Sequence, residues 1–160
     1  KAGYISSASQ QPKKNVAIWL RVFEDKRAAS EKGILGGNYN SYNMRLGDVR
    51  EPAGIIQSMK AALISELERA GYDSVDDQRD LLIDAEVASI TCDLRASEEA
   101  NIKIRIHLRD KGIEVLDRVY TGQGSALRLL PSHNGSRAIN RSIKNIADQL
   151  IKDLDEYIRS

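Results

Sequence analysis

Few residues in this chain of 160 are of the types that carry out chemistry: two histidines, one cysteine and a short glycine-rich run. A zinc site needs Cys, His or carboxylate ligands gathered at short, regular spacing. His107 and His133 stand far apart with no Cys/His cluster around either. Cys92 is the single cysteine, so no internal disulfide can form. It has no convincing catalytic partner in sequence and reads as a small buried hydrophobe. No Gly-x-Ser-x-Gly nucleophile elbow occurs. Gly122-Gln123-Gly124-Ser125 offers glycines for a phosphate loop but lacks the Gly-Lys-Ser/Thr signature and a strong helix directly after it. It reads as a turn at a hairpin end. The acidic pairs Asp76-Asp77 and Glu98-Glu99 lack calcium-loop spacing and read as solvated loop charge. No catalytic, cofactor-binding or metal-ligating residue is therefore expected, and no cofactor.

The elements that would hold any site are more legible. Ile102 to Arg109 alternates apolar and basic residues without a fault. On a strand, Ile102, Ile104, Ile106 and Leu108 share one face, and Lys103, Arg105, His107 and Arg109 share the other. One face is expected to be buried and one wet, as in an antiparallel sheet. Leu81 to Cys92 is the preceding strand. Folding the pair about 97–101 brings Asp84 and Glu86 near His107 and Arg109 as cross-strand charge pairs. Asp110-Lys111-Gly112 marks a tight turn into a third strand, Ile113 to Thr121. Val115 and Val119 face one way on it, Leu116, Arg118 and Tyr120 the other.

Upstream, Val16 to Phe23 is apolar on both faces apart from Arg21, the pattern of a covered strand. The stretch 28–48 is broken by Gly33, Gly36, Gly37, Asn38, Asn40, Asn43 and Gly47. A connection this long is an ordered surface loop, a binding loop or an edge hairpin. A helix is expected from Pro52 to Ala70, with Ile55, Ile56, Met59, Leu63 and Leu67 as its apolar stripe and Glu66 on a more exposed side. Gly71 supplies its C-cap. A second helix, Ser136 to Arg159, buries Ile139, Ile143, Ile146, Ala147, Leu150, Leu154 and Ile158, with Asp155 on the mixed-charge outer face and Ser132 or Asn134 as its cap. The expected order is strand, loop, helix, three strands, helix. This is an α+β fold: a mostly antiparallel sheet of four or more strands with two helices on one face. Residues 1–15 are polar and aperiodic and are expected to form a flexible tail ahead of a single domain, 16–160.

Composition narrows the partners. The chain is 41% hydrophobic and 29% charged, and its 24 basic and 23 acidic residues leave a formal charge of +1. No global field favours nucleic acid, and the carboxylates expected beside the basic stripe neutralise it. No apolar run approaches the ~20 residues needed to span a bilayer.

Four stretches, in order, resemble the YajG-like family of bacterial outer-membrane lipoproteins. They are Val16-Ala17-Ile18-Trp19-Leu20-Arg21-Val22-Phe23 leading into Asp25-Lys26-Arg27; the helix Leu63 to Tyr72 ending in Gly71-Tyr72; the sheet pattern from Leu81 to Tyr120; and Asn145-Ile146-Ala147-Asp148. A related architecture occurs in lipoproteins that activate penicillin-binding proteins and in the N-terminal domain of TolB. The resemblance implies a secreted precursor, lipid attachment at a cysteine upstream of Lys1, and residence in the periplasm tethered to the outer membrane, with residues 1–15 as tether. It supplies no catalytic residues. The expected function is that of a non-catalytic envelope protein that binds another envelope protein or supports an assembly. Tyr39, Tyr42, Asp25 and Arg27 are the candidate contact residues, and no nucleic acid is involved. The alternative is a small periplasmic enzyme, or an enzyme subunit or activator, with a pocket under the 28–48 loop.

Overall fold

The alternation that begins at Ile102 belongs to a longer strand, Ser97–Asp110, which pairs antiparallel on both sides. The computed structural model describes residues 11–128 and 135–160. Its elements are β1 (Ala17–Asp25), β2 (Ile34–Tyr39), β3 (Arg45–Arg50), α1 (Ile55–Arg69), β4 (Asp73–Val75), β5 (Leu81–Leu94), β6 (Ser97–Asp110), β7 (Ile113–Leu127) and α2 (Ser136–Arg159). The expected α+β class, with a mainly antiparallel sheet and both helices on one face, is what forms.

The sheet has seven strands, and β5 is its spine. Along one side of β5 runs β6, and β7 pairs with β6 beyond it. Along the other side lie two strands end to end. β1 pairs in parallel with the first half of β5, from Ile18 opposite Leu81 to Asp25 opposite Val87. β2 joins its far end, at Asn38 opposite Leu94. The expected element order needs three additions: the 28–48 connection, with the two residues after it, forms the antiparallel hairpin β2–β3, and β4 pairs with β1. Helix α1 begins at Ile55 rather than Pro52, because Gly54 takes a left-handed turn (φ 72°) that redirects the chain first. The expected caps Ser132 and Asn134, and His133, lie outside the described residues.

Ile102, Ile104, Ile106 and Leu108 are fully buried beneath the helices, together with Ile83, Ala85 and Val87 of β5. Each isoleucine, leucine or valine among them contributes about 1.5–3 kcal/mol by leaving water. Helix α1 buries Ile55, Met59, Ala62, Leu63 and Leu67. Glu66, expected on a wetter side, is buried as well, because α2 lies across that flank of α1. Asp155, expected on α2's solvent face, is half-buried and accepts bonds from the Tyr72 hydroxyl and, at 2.8 Å, from the Lys14 ammonium. Gln11 and Lys14, within the segment expected to be a tail, donate backbone bonds to the carbonyls of Arg69 and Gly71 at 2.7 and 2.9 Å.

Gly122 and Gly124 do not form a turn. They sit inside β7, on the face under α2. A β-carbon on Gly122 would strike the Ser142 carbonyl, and one on Gly124 the Ala138 carbonyl. The two glycines let the helix lie flush on the strand. That approach brings a second set of contacts within reach. β7 is an edge strand, and its backbone groups at Thr121, Gln123, Ser125 and Leu127 are bonded by α2 side chains one helical turn apart. The Gln149 amide donates to the Thr121 carbonyl at 2.9 Å, and the Gln123 N–H donates to Asn145 Oδ1 at 3.2 Å. Arg141 donates to the Ser125 carbonyl, and Arg137 to that of Leu127 at 2.5 Å. Four helical residues rise about 6 Å and two strand residues about 6.7 Å, so the periods nearly match. The helix takes the place of a missing neighbour strand.

Replacing Gly124 by Ala should cost about 1–3 kcal/mol, the usual price of overpacking. Gly47→Ala, where nothing lies within 4 Å, should change little in the same urea melts. Removing Arg137, Arg141 and Gln149 together (to Ala) should uncover the β7 edge. Concentration-dependent self-association by light scattering, with helical circular dichroism retained, is the expected result.

Candidate functional site

Of the four residues singled out by sequence, two form a clasp. The end of β1 and the segment after β3 meet at Arg27, whose residue is only 4% exposed. Its guanidinium grips Asp25 through two parallel bonds, Nε to Oδ1 at 2.9 Å and Nη2 to Oδ2 at 2.8 Å. Nη2 also donates to Glu51, and the Arg27 backbone N–H to Asp25 at 3.1 Å. Glu51 in turn accepts from the Gly33 N–H at 3.2 Å, while its own N–H donates to the Gly33 carbonyl at 2.8 Å. The arrangement ties both ends of the β2–β3 hairpin to β1. The hydrogen bond from Arg27 holds the Asp25 carboxyl below the usual carboxylate range, burial opposing it; the Arg27 guanidinium is correspondingly shifted up by Asp25.

Tyr39 and Tyr42 belong to the hairpin's other end. Asn40 closes the turn: its side-chain oxygen accepts from the N–H groups of Tyr42 (3.0 Å) and Met44 (2.9 Å). Asn43 adopts a left-handed φ of 62°. The Arg95 guanidinium lies 3.8 Å from the Tyr39 ring centroid and bonds Asn43. Tyr39 is thus pinned to the flank, while Tyr42 projects, 84% exposed. Met44 and Leu46 beside it are 59% and 65% exposed. Leu46, Glu51 and Arg95 were not singled out in the sequence. The alternation Met44–Leu46 leading into Val49 was the available signal for β3; Arg95 and Glu51 gave none, because their partners are distant in the chain.

The outer sheet face carries a second network. His107 stands opposite Asp84, as expected, but its side chain turns the other way. Its Nδ1 lies 2.6 Å from Glu114 Oε1 and 3.6 Å from Asp117 Oδ1, both on β7. Asp84 instead takes Arg21 in two bonds, of 3.0 and 2.5 Å. Arg109 stands opposite Leu82, and Glu86 opposite Arg105. Arg105 grips Asp117 at 2.8 and 2.6 Å and lowers its carboxyl's proton affinity. Ligand atoms of His107, Glu114 and Asp117 come within 4.8 Å of one another, but both oxygens of Asp117 are already committed to the guanidinium. The cluster is an ion-pair network. Cys92 is fully buried, and burial pushes its thiol up to about 12, with Glu98 and Asp93 adding to the effect. A thiol so shifted is no nucleophile at neutral pH.

Among the clefts on the described surface are one between the helices near Arg69 and Lys152, one near Tyr157 and Ile158 and one on the outer sheet face around Trp19. None of them lies under residues 28–48.

No protein-family model and no curated protein matches the chain. Solved structures do. A Xanthomonas campestris protein of the DUF330 family has a TM-score of 0.58 at 9% identity, over 91% of this chain and 90% of that one. A hypothetical protein from Chlamydia trachomatis scores 0.51 at 8% identity, over 94% and 96%. These likenesses establish a shared fold. A minor lipoprotein from Acinetobacter baumannii scores 0.45 at 16% identity over 66% of this chain and 88% of its own, too low to bear on the fold.

Arg27→Met should destabilise the protein by about 2–3 kcal/mol, less than the loss at a fully buried pair because both carboxylates keep some water contact. The pH dependence has a definite sign. A depressed Asp25 contributes stability in full above the unfolded aspartate value, about 3.9, and loses it as pH falls through the lower folded value. The gap in stability between wild type and R27M should therefore be constant near neutrality and close below about pH 4. Paired urea titrations across that range measure it.

Proposed function

We propose that this chain is a non-catalytic, lipid-anchored protein of the bacterial cell envelope, tethered to the outer membrane, that binds another envelope protein through the tip of the β2–β3 hairpin. The YajG-like stretches support the compartment and the anchor, and the DUF330-type fold is compatible with them. One observation carries the binding surface: Tyr42, Met44 and Leu46, at alternate positions of the chain, stand exposed on a hairpin locked at its base by Asp25, Arg27 and Glu51. Large apolar side chains held in water at the tip of a fixed projection are the composition of an interface centre. Tyrosine and methionine suit it, one for rigid amphipathic area and the other for adaptable packing. On this reading Asp25, Arg27 and Tyr39 hold the tip in place, and Tyr42 makes contact.

The test uses the protein expressed from its full gene, with a photocrosslinking residue at position 41. Wild type should yield a discrete adduct in the outer-membrane fraction. The triple variant Tyr42→Ser, Met44→Ser, Leu46→Ser should lose it while keeping its melting temperature. An adduct that survives the triple change, or one recovered only from the cytosol, rejects the proposal.

A further inference from the structure

The end of the sheet opposite the hairpin has a different chemistry. Trp19, Leu82 and Arg109 form one cross-strand row over β1, β5 and β6 on the outer face. The loop at 78–80 and the Lys111-Gly112 turn rise around the row and close a cleft of about 550 Å³. Trp19, the chain's single tryptophan, is half-buried at its floor beside the buried Leu82.

The charges in the cleft are unevenly spent. Arg21 is tied to Asp84 and lies 5.9 Å from the Trp19 ring centroid. Arg79 lies 3.4 Å from Asp77. Arg109 and Lys111 have no carboxylate partner among the described residues. Glu114, which faces Arg109 across the strands, gives its carboxylate to His107. Arg105, two positions along the same strand face, is fully paired with Asp117, and Arg109 is not. One carboxylate, Asp80, also lines the cleft uncommitted, and Gln78 adds an amide.

We propose that this cleft binds an acidic sugar residue, a pyranose ring bearing one carboxylate. Two uncommitted cations and one uncommitted carboxylate leave an excess of one positive charge, which suits a monoanion. The Arg109 guanidinium offers the planar fork that receives a carboxylate in two bonds, and Lys111 adds a point charge. Asp80 only accepts hydrogen bonds, so it calls for a ligand with hydroxyl donors. The indole and Leu82 give an apolar floor for the C–H face of a sugar ring. Inorganic phosphate would make no use of that floor and would be repelled by Asp80. A nucleotide could use the floor, but its phosphate dianion exceeds the cleft's charge.

The single tryptophan is the reporter. Titrating the protein with D-galacturonate and digalacturonate should give a saturable change in Trp19 fluorescence. D-glucose, inorganic phosphate and AMP should give none at equal concentration. Arg109→Gln and Lys111→Gln, both on the surface and outside the hairpin, should each weaken binding by about tenfold or more, as expected for loss of a charged hydrogen bond, with the circular dichroism unchanged. Vesicles carrying glucuronosyl diacylglycerol, compared with soluble digalacturonate, distinguish a lipid-borne ring from a free saccharide; Arg109-dependent binding to either upholds the proposal. It is overturned if neither soluble uronate perturbs Trp19 and the vesicles show no Arg109-dependent binding, if glucose, phosphate or AMP titrates as well as the uronate, or if both glutamine variants bind like wild type. The hairpin variants leave this titration untouched, so the two readings fail separately.

Discussion

The flush contact between α2 and β7 is the constraint on which the rest of the architecture depends. Each strand of an open sheet can be satisfied by its neighbours except the last, which presents a row of bare amides and carbonyls. Here that last strand is long and carries the exposed apolar residues Val115 and Val119. The solution uses two unrelated features of the sequence. Glycines at 122 and 124 remove the side chains that would hold the helix away. A polar row on the helix, Arg137, Arg141, Asn145 and Gln149, then reaches over and bonds the edge. The row continues by the same interval to Asp153, which accepts from Arg118 and Tyr120, and to Tyr157, which donates to Asp110. One side of α2 fills the core, and the adjoining stripe closes the sheet.

The outer face shows how the remaining register is fixed. The basic row of β6 lies between acidic groups on both neighbours, and every side chain there would be inverted by a one-residue slip. Exposed pairs of this kind contribute little individually. Their effect is to make wrong registers expensive: a slip would bury Arg105 and expose Ile104. The same pairing occupies most of the cations on the wet face. Its arginines at 21 and 105 are held by Asp84 and Asp117, whereas Arg109 at the Trp19 end is not paired with a carboxylate among the described residues.

Whatever depended on near neighbours in the chain was readable from residue types alone. The faces of β5 and β6, the apolar stripe of α2 as far as Leu154, the burial of Cys92 and the Gly71 helix stop all follow from local period and conformational preference; Ile158, expected to end that stripe, is exposed instead because it lies in the helix's last turn. What depended on distant partners was not. Gly122 and Gly124 look like turn residues in sequence because glycine's freedom of backbone is its commonest use. Here its lack of a side chain is the point, and only the helix that lies on it reveals this. Asp84 was matched with His107 because the two strands face each other, but Arg21 on the third strand offers a bidentate grip. Glu66 looked exposed on an isolated helix, and the second helix covers it.

Of the candidate site, the tip was partly legible and its support was not. Tyr42 lies in a run of Asn and Ser that marks a turn, so its exposure follows from position. Asp25-Lys26-Arg27 carried the resemblance to an envelope lipoprotein family, and such a short charged motif invites a catalytic or contact reading. Its geometry argues otherwise. Arg27 is buried, is held through Nε and Nη2 by Asp25 and Glu51, and thereby fixes where the hairpin leaves the sheet. A motif of that kind preserves the placement of a projection rather than its chemistry. The residues at the projecting end are free to differ while the clasp beneath them stays the same. Chains could therefore share this fold and this motif, with almost no other sequence in common, and still present different surfaces to different partners.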